Sequence, residues 1–246
     1  MRTGETGVRP VWREDLASSL RGVRAAIGGG FLAGVLVGGL GGRIAMLILR
    51  LTSSPAVRGI RSDDGFVIGR ISATTLFLLT LTGVLGAIGG LLYLVGRDWV
   101  PAPLRAGVTC VMTGAIGGAL VIKPEGLDFS LLGPLPLAVA MFVAIPAGYG
   151  VLLSVLVERR LGAEKGPSGP ALWIPCALFA FALALTGRFG AVFLTGLLIA
   201  WILRRRVPDL DAIRASATVV WLGRIVLAVG TGLGLGELVR DVADIL

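Results

Sequence analysis

The sequence contains no histidine, no asparagine and no glutamine. Only two of its basic residues are lysines, Lys123 and Lys165, and only two residues are cysteines, Cys110 and Cys176. Charged residues make up 15% of the 246-residue chain, against about 25% in a typical soluble domain. Each shortage excludes something. Without histidine there is no Ser-His or Cys-His nucleophile pair. Histidine-ligated zinc and haem fall with it. A retinal Schiff base needs a lysine in a late span, and both lysines stand in polar loops. Cys110 and Cys176 lie in separate apolar runs, form no CxxC motif, and read as small buried hydrophobes. The missing amides, which are thermolabile, fit a heat-tolerant source.

What is present is apolar. Hydrophobic residues make up 55% of the chain, and the mean hydropathy is +0.88. This composition excludes a soluble globular enzyme, a nucleic-acid-binding domain and a disordered chain. The net charge of +8 sits at the ends of apolar runs, which is the positive-inside pattern of a membrane protein and not a polyanion patch.

Seven apolar stretches are predicted as spans: 25–49, 71–96, 104–122, 135–157, 170–186, 189–203 and 214–236. The fifth and sixth are short and flank a turn at Thr186-Gly187-Arg188-Phe189-Gly190. They read as a helical hairpin or a re-entrant pair. With the N-terminus inside, inner segments hold fourteen of the 23 basic residues and outer segments six, with Arg43, Arg50 and Arg224 in or at the end of spans. The expected topology is therefore N-terminus cytoplasmic and C-terminus outside, in a bacterial-type cytoplasmic membrane. The first span is read as uncleaved, since no A-x-A site closes it. Residues 1–24 form a cytoplasmic segment. Within it, 10–24 is predicted as a short amphipathic helix on the inner leaflet, with Trp12, Leu16, Leu20 and Val23 on one face. Residues 25–246 form a single transmembrane domain.

Glycine organises the expected bundle. Gly30, Gly34, Gly38 and Gly42 are spaced by four, which makes a smooth groove on one helix face. The pentapeptide Gly-Ala-Ile-Gly-Gly occurs at 86–90 and again at 114–118. It reads as shared packing chemistry, with internal duplication as the alternative. Gly230, Gly232, Gly234 and Gly236 are expected to loosen the last span. Pro146, followed by Ala147-Gly148-Tyr149-Gly150, is expected to bend span four, and bent helices often line transporter cavities.

Charges inside spans are the strongest functional signal. Arg224 is placed near the bilayer midplane and Arg43 toward the outer end of span one. A central Arg costs about 2.5–3.5 kcal/mol on insertion scales, so each needs a partner: backbone carbonyls, a loop carboxylate, or an anion. The first outer segment, 51–70, holds Asp63 and Asp64. Two adjacent carboxylates suit a divalent cation, but the expected role is a capped, salt-bridged loop, and no metal or cofactor is expected. Glu125, Asp128, Glu158 and Glu164 read as solvated. Asp209 and Asp211 read as start signals for the last helix.

The fold expected is an all-α, seven-span, glycine-rich helical bundle with a short N-terminal amphipathic helix. The expected function is a small transporter or channel-like protein, not an enzyme. Its anion or polar-solute site is drawn from Arg43, Arg224, Asp63, Asp64 and Tyr149. The alternative is a structural or accessory subunit that binds lipid or partner helices. A lipid enzyme with a metal at Asp63 and Asp64 is the weakest reading. Expected partners are the bilayer, an anionic lipid or small anion, and a second copy or another membrane protein, with no nucleic acid.

Overall fold

The structure, a computed structural model, describes residues 11–53, 73–124, 134–163, 173–185, 195 and 210–245. These residues are helical, with no strand among them. The chain is a membrane protein: five helices among the described residues are long and apolar enough to cross a bilayer. They are Ser19–Thr52, Thr75–Trp99, Ala102–Val121, Leu135–Gly162 and Ala217–Ile245. Helices satisfy their own backbone groups, which a bilayer core without water demands.

The first crossing is built from α1 (Val11–Ala33), an eight-residue π-helical stretch (Gly34–Gly41) and α2 (Gly42–Thr52). The expected break between a leaflet-bound helix and span one is absent. The chain is helical without interruption from Val11 to Thr52. The nearest prolines are Pro10 and Pro55, so nothing between them forces a stop. At the far end, Ser53 Oγ donates to the Leu49 carbonyl (2.6 Å) and Thr52 Oγ1 to that of Ile48 (3.1 Å).

Next come α3 (Ala73–Gly96), two short 3₁₀ turns at Arg97–Trp99 and Ala102–Leu104, α4 (Arg105–Val121) and α5 (Leu135–Gly162). Then follow α6 (Trp173–Leu185), α7 (Leu210–Ala215) and α8 (Ala217–Ile245). The fifth expected span corresponds to α6, of which thirteen residues are described. The sixth, 189–203, lies outside the described residues except for Thr195. Asp63 and Asp64 lie outside them as well. Thr80, Thr82, Thr109, Thr113 and Thr231 each donate to the carbonyl four residues back, which satisfies hydroxyls within apolar helices.

The last helix differs from expectation. It does not loosen at its glycines but continues to Ile245. Leu238, Val242 and Ile245 pack onto a cluster with Leu49, Ile122 and Ala138. Their helical spacing makes one apolar stripe that anchors the final turns. Ser216, at the junction of α7 and α8, accepts the Val219 amide (3.4 Å) and so caps α8.

Helix directions follow from the contacts. Gly30 and Gly34 of α1 and the π stretch face Gly90, Gly86 and Thr82 of α3, an antiparallel pair. Gly114, Gly117 and Gly150 place α4 antiparallel to α5, through Ala147, Pro146 and Thr109. Gly223 beside Trp99 and Gly234 beside Ile116 make α8 parallel to α4. One end of the bundle therefore gathers Arg24, Arg97, Arg105, Arg160 and Arg224, and is called here the arginine end.

The four-residue glycine run does not make one groove. Gly30 and Gly34 meet backbone of α3, Gly38 meets only the Thr82 side chain, and Gly42 has nothing within 4 Å. Gly39 takes over, buried against Leu79 and Thr82. The contact step changes from four residues to five because the chain there is π-helical, with more residues per turn.

Candidate functional site

Two features compete for a functional role: the intramembrane arginines and a cavity of about 690 Å³. The structure separates the arginines. Gly22 of α1 packs beside Leu94 near the end of α3, and Arg43 lies 21 residues further along. That is about 30 Å up the bundle at 1.5 Å per residue. Arg224 is at the arginine end, since its Nε donates to the Trp99 carbonyl at 2.8 Å. The two side chains cannot hold one ligand.

Arg224 stands toward one end of its helix and not at its centre. Because α8 runs on to Ile245, its centre moves away from Arg224, which stands only about 10 Å from the start of the helix. Gly223 lets the Trp99 indole lie directly on α8. The Trp99 carbonyl then receives Arg224, and the guanidinium carbon stands 5.4 Å from the Trp221 ring centroid. A backbone carbonyl and an aromatic face thus partner this cation.

The cavity, of about 690 Å³, lies between α3, α4 and α5, with Leu227 of α8 at its edge. Leu85, Leu92, Met112, Ile116, Ile145 and Leu153 give it apolar walls. Pro146 and Tyr149 line it too, so the proline and the tyrosine singled out from sequence do meet a cavity. Gly86 and Gly89 are what admit Tyr149: a Cβ at Gly89 would collide with the phenol oxygen. Tyr149 Oη donates to the Gly86 carbonyl at 2.8 Å, so its hydroxyl is committed to the scaffold.

At the arginine end the cavity turns polar, where Tyr93, Arg97, Trp99 and Arg105 border it. Behind them stands Glu158 of α5, which is engaged and not solvated as expected. Arg97 reaches both of its oxygens, Nη2 to Oε2 at 3.0 Å and Nε to Oε1 at 3.0 Å. Arg105 Nη1 lies 3.1 Å from Oε2, and Tyr93 Oη donates to Oε1 at 2.9 Å. Of the two Arg97 contacts only that of Nη2 has hydrogen-bond geometry, and the Nε contact is an ion pair. Arg105 Nε also donates to the carbonyls of Arg97 (3.0 Å) and Val100 (3.2 Å), holding the α3–α4 connection in shape. Arg214 pairs with Asp98 at 3.3 Å. Asp98 also stands 4.0 Å from Arg97 Nε, so Arg97, Arg105 and Arg214 against Glu158 and Asp98 leave one positive charge at the cavity mouth.

This cluster was not legible as a site. Glu158 follows the predicted end of span four by one residue, where a carboxylate reads as loop. Two signals pointed to it. Tyr93 is one of only two tyrosines, and a tyrosine in an apolar span needs a hydrogen-bond partner. Arg97 follows four residues later, on the same helix face.

Among the described residues, no cluster of three or more His, Cys, Asp or Glu is placed to hold a metal. Cys110 and Cys176 are unbridged. No protein-family model matches the chain, and neither curated proteins nor solved structures yield a match.

Proposed function

We propose that the chain is a seven-span protein of the cytoplasmic membrane, N-terminus inside, that binds an anionic amphiphile and passes it along the cavity between α3, α4 and α5. One observation carries this reading: an apolar cavity of about 690 Å³ ends at Arg97 and Arg105. Apolar walls suit an acyl chain and the surplus positive charge suits an acidic head group. A small hydrated anion is favoured less, because the walls offer it few polar partners. The site arginines are then Arg97 and Arg105, with Arg43 and Arg224 outside it.

The helix directions are compatible with the seven-span count. Glu158 near the end of α5 and Arg224 near the start of α8 stand at the same end of the bundle, both beside the 97–99 turn. Returning to the same side takes either no crossing or two, and the apolar stretches 170–186 and 189–203 are read as the two. The basic bias makes this the inner side.

The test uses purified protein in vesicles. Wild type is expected to speed transfer of a fluorescent short-chain phosphatidylglycerol between leaflets, and Met112→Trp, which fills the cavity, to abolish it while the fold survives. Equal transfer with and without wild-type protein would refute transport.

A second reading, an accessory subunit, rests on α8. Gly230, Gly232 and Gly236 have nothing within 4 Å, and bare glycines on a span suit a partner helix. Cross-linking from cysteines placed on that face would capture a partner if this reading holds.

A further inference from the structure

Tyr93, Arg97 and Arg105 border the cavity, and Glu158 stands behind them, outside its lining. One carboxylate there serves two guanidinium groups. Arg97 Nη2 donates to Oε2 at 3.0 Å, and Arg105 Nη1 lies 3.1 Å from the same oxygen. The two arginines are not held alike. Arg105 is fixed from a second side, since its Nε donates to the Arg97 and Val100 carbonyls. Among the described residues, only carboxylates hold the Arg97 side chain: Glu158 and, at 4.0 Å, Asp98. Its Nε is buried and has no hydrogen-bond partner. Arg97 is thus the guanidinium with a donor to spare, at the edge of a largely apolar space. Glu158 can release it. Tyr93 Oη still donates to Oε1 at 2.9 Å, and the carboxylate keeps Arg105 and some contact with solvent.

We infer that Glu158 is a built-in competitor of the ligand. It holds Arg97 back from the cavity, and an acidic head group draws Arg97 across by taking the place of that carboxylate. The inference rests on the amphiphile reading of the cavity. A cation already paired with one carboxylate attracts a second anion less, because repulsion between the two anions offsets part of the gain. The mouth carries one positive charge beyond its carboxylates. The ligand class that matches it is a lipid with a monoanionic phosphodiester head group, whose oxygens suit a guanidinium. A zwitterionic head group brings a second cation to the mouth and is not held.

Native mass spectrometry of delipidated full-length protein, titrated with phosphatidylglycerol or phosphatidylcholine, tests the competition. Wild type is expected to hold one phosphatidylglycerol, and Met112→Trp, which fills the cavity, to hold none. Glu158→Gln keeps the size of the side chain and removes its charge. It is expected to bind phosphatidylglycerol about tenfold more tightly, the worth of one charge-assisted hydrogen bond, although it melts at a lower temperature. A residue that only tied helices together would lose affinity along with stability. Asp98→Asn adds the same charge at the mouth but leaves Glu158 on both arginines, so its gain is about threefold or less. Phosphatidylcholine shows no gain in either variant. Affinity in Glu158→Gln equal to or below that of wild type, with Met112→Trp still losing the lipid, overturns the competitor and leaves the cavity reading standing. An equal gain in Asp98→Asn, or for phosphatidylcholine, also overturns the competitor. Lipid retained by Met112→Trp, or bound by neither wild type nor Glu158→Gln, overturns the cavity reading and the competitor with it. Should Glu158→Gln fail to fold, Glu158→Asp decides. That variant keeps the charge but withdraws the carboxylate by one methylene, and its affinity is expected to rise; unchanged or lower affinity overturns the competitor.

Discussion

The same five residues, Gly-Ala-Ile-Gly-Gly, build two different seams in this bundle. In α3, at 86–90, both flanking glycines face a partner backbone. A Cβ at Gly86 would strike the Gly30 carbonyl, and one at Gly90 the Ala26 carbonyl. Ala26, Gly30 and Gly34 on one helix thus interlock with Thr82, Gly86 and Gly90 on the other, in a small-xxx-small contact on both sides. In α4, at 114–118, the glycines receive side chains instead. The nearest atoms to a Cβ there are Ala147 Cβ at 3.2 Å, Pro146 Cβ at 2.5 Å and Leu238 Cδ1 at 3.2 Å. The α1–α3 seam has no give, because backbone cannot rotate aside. At the α4 pentapeptide the contacts end on side chains of α5 and α8, some of which can shift, while further along the α4–α5 seam Gly150 meets the Thr109 carbonyl. A local motif therefore specifies close approach, and the partner decides how costly its loss is.

Four substitutions test this contrast. Gly86→Ala is expected to have the largest effect, a loss of about 3 kcal/mol or more, at the upper end of overpacking costs. Thermal unfolding in detergent reads it as a large fall in melting temperature. Glu158→Ala comes next. Glu158 ties α3 and α4 to α5 through Arg97, Arg105 and Tyr93, so it spans both seams. Its removal strands two guanidinium groups. Because the three ion-paired side chains keep some solvent contact, 16–32%, the loss is about 2 kcal/mol, below the range for fully buried pairs. A melting temperature unchanged in Glu158→Ala would show that the network does not join the seams.

Arg224→Ala is smaller, about 1 kcal/mol, for one carbonyl hydrogen bond and one cation–π contact at an exposed site. Transfer of the fluorescent lipid should persist in that variant, since Arg224 lies outside the cavity lining; loss of transfer would return Arg224 to the site. Gly114→Ala closes the series. Its Cβ must push Ala147 by a few tenths of an ångström, while alanine gains about 1 kcal/mol of helix propensity over glycine. The two nearly cancel, and a melting temperature within error of wild type is expected. A collapse as severe as that of Gly86→Ala would erase the distinction between the seams.

Much of the architecture was legible without coordinates. Apolar runs mark helices because a bilayer leaves the backbone no other partner. The glycine pentapeptides mark close approach, and Tyr149 and Pro146 mark a cavity wall. Other features were not legible for identifiable reasons. The shift from Gly38 to Gly39 depends on π-helical winding, which no spacing rule based on four residues anticipates. The level of Arg224 depends on how far α8 continues, and Leu238, Val242 and Ile245 continue it by packing on Leu49 and Ile122.

Hydropathy and glycine spacing, which are properties of segments, determined that this chain is helical, membrane-spanning and closely packed. Charge partnership was decided only in three dimensions. Glu158 reads as a loop carboxylate in one dimension, yet it joins Tyr93, Arg97 and Arg105 from two other helices. Arg43 and Arg224 read as a pair, yet they occupy opposite ends. The physical reason is that burial energy follows each segment's own composition, whereas an ion pair depends on which helix faces which, and at what height.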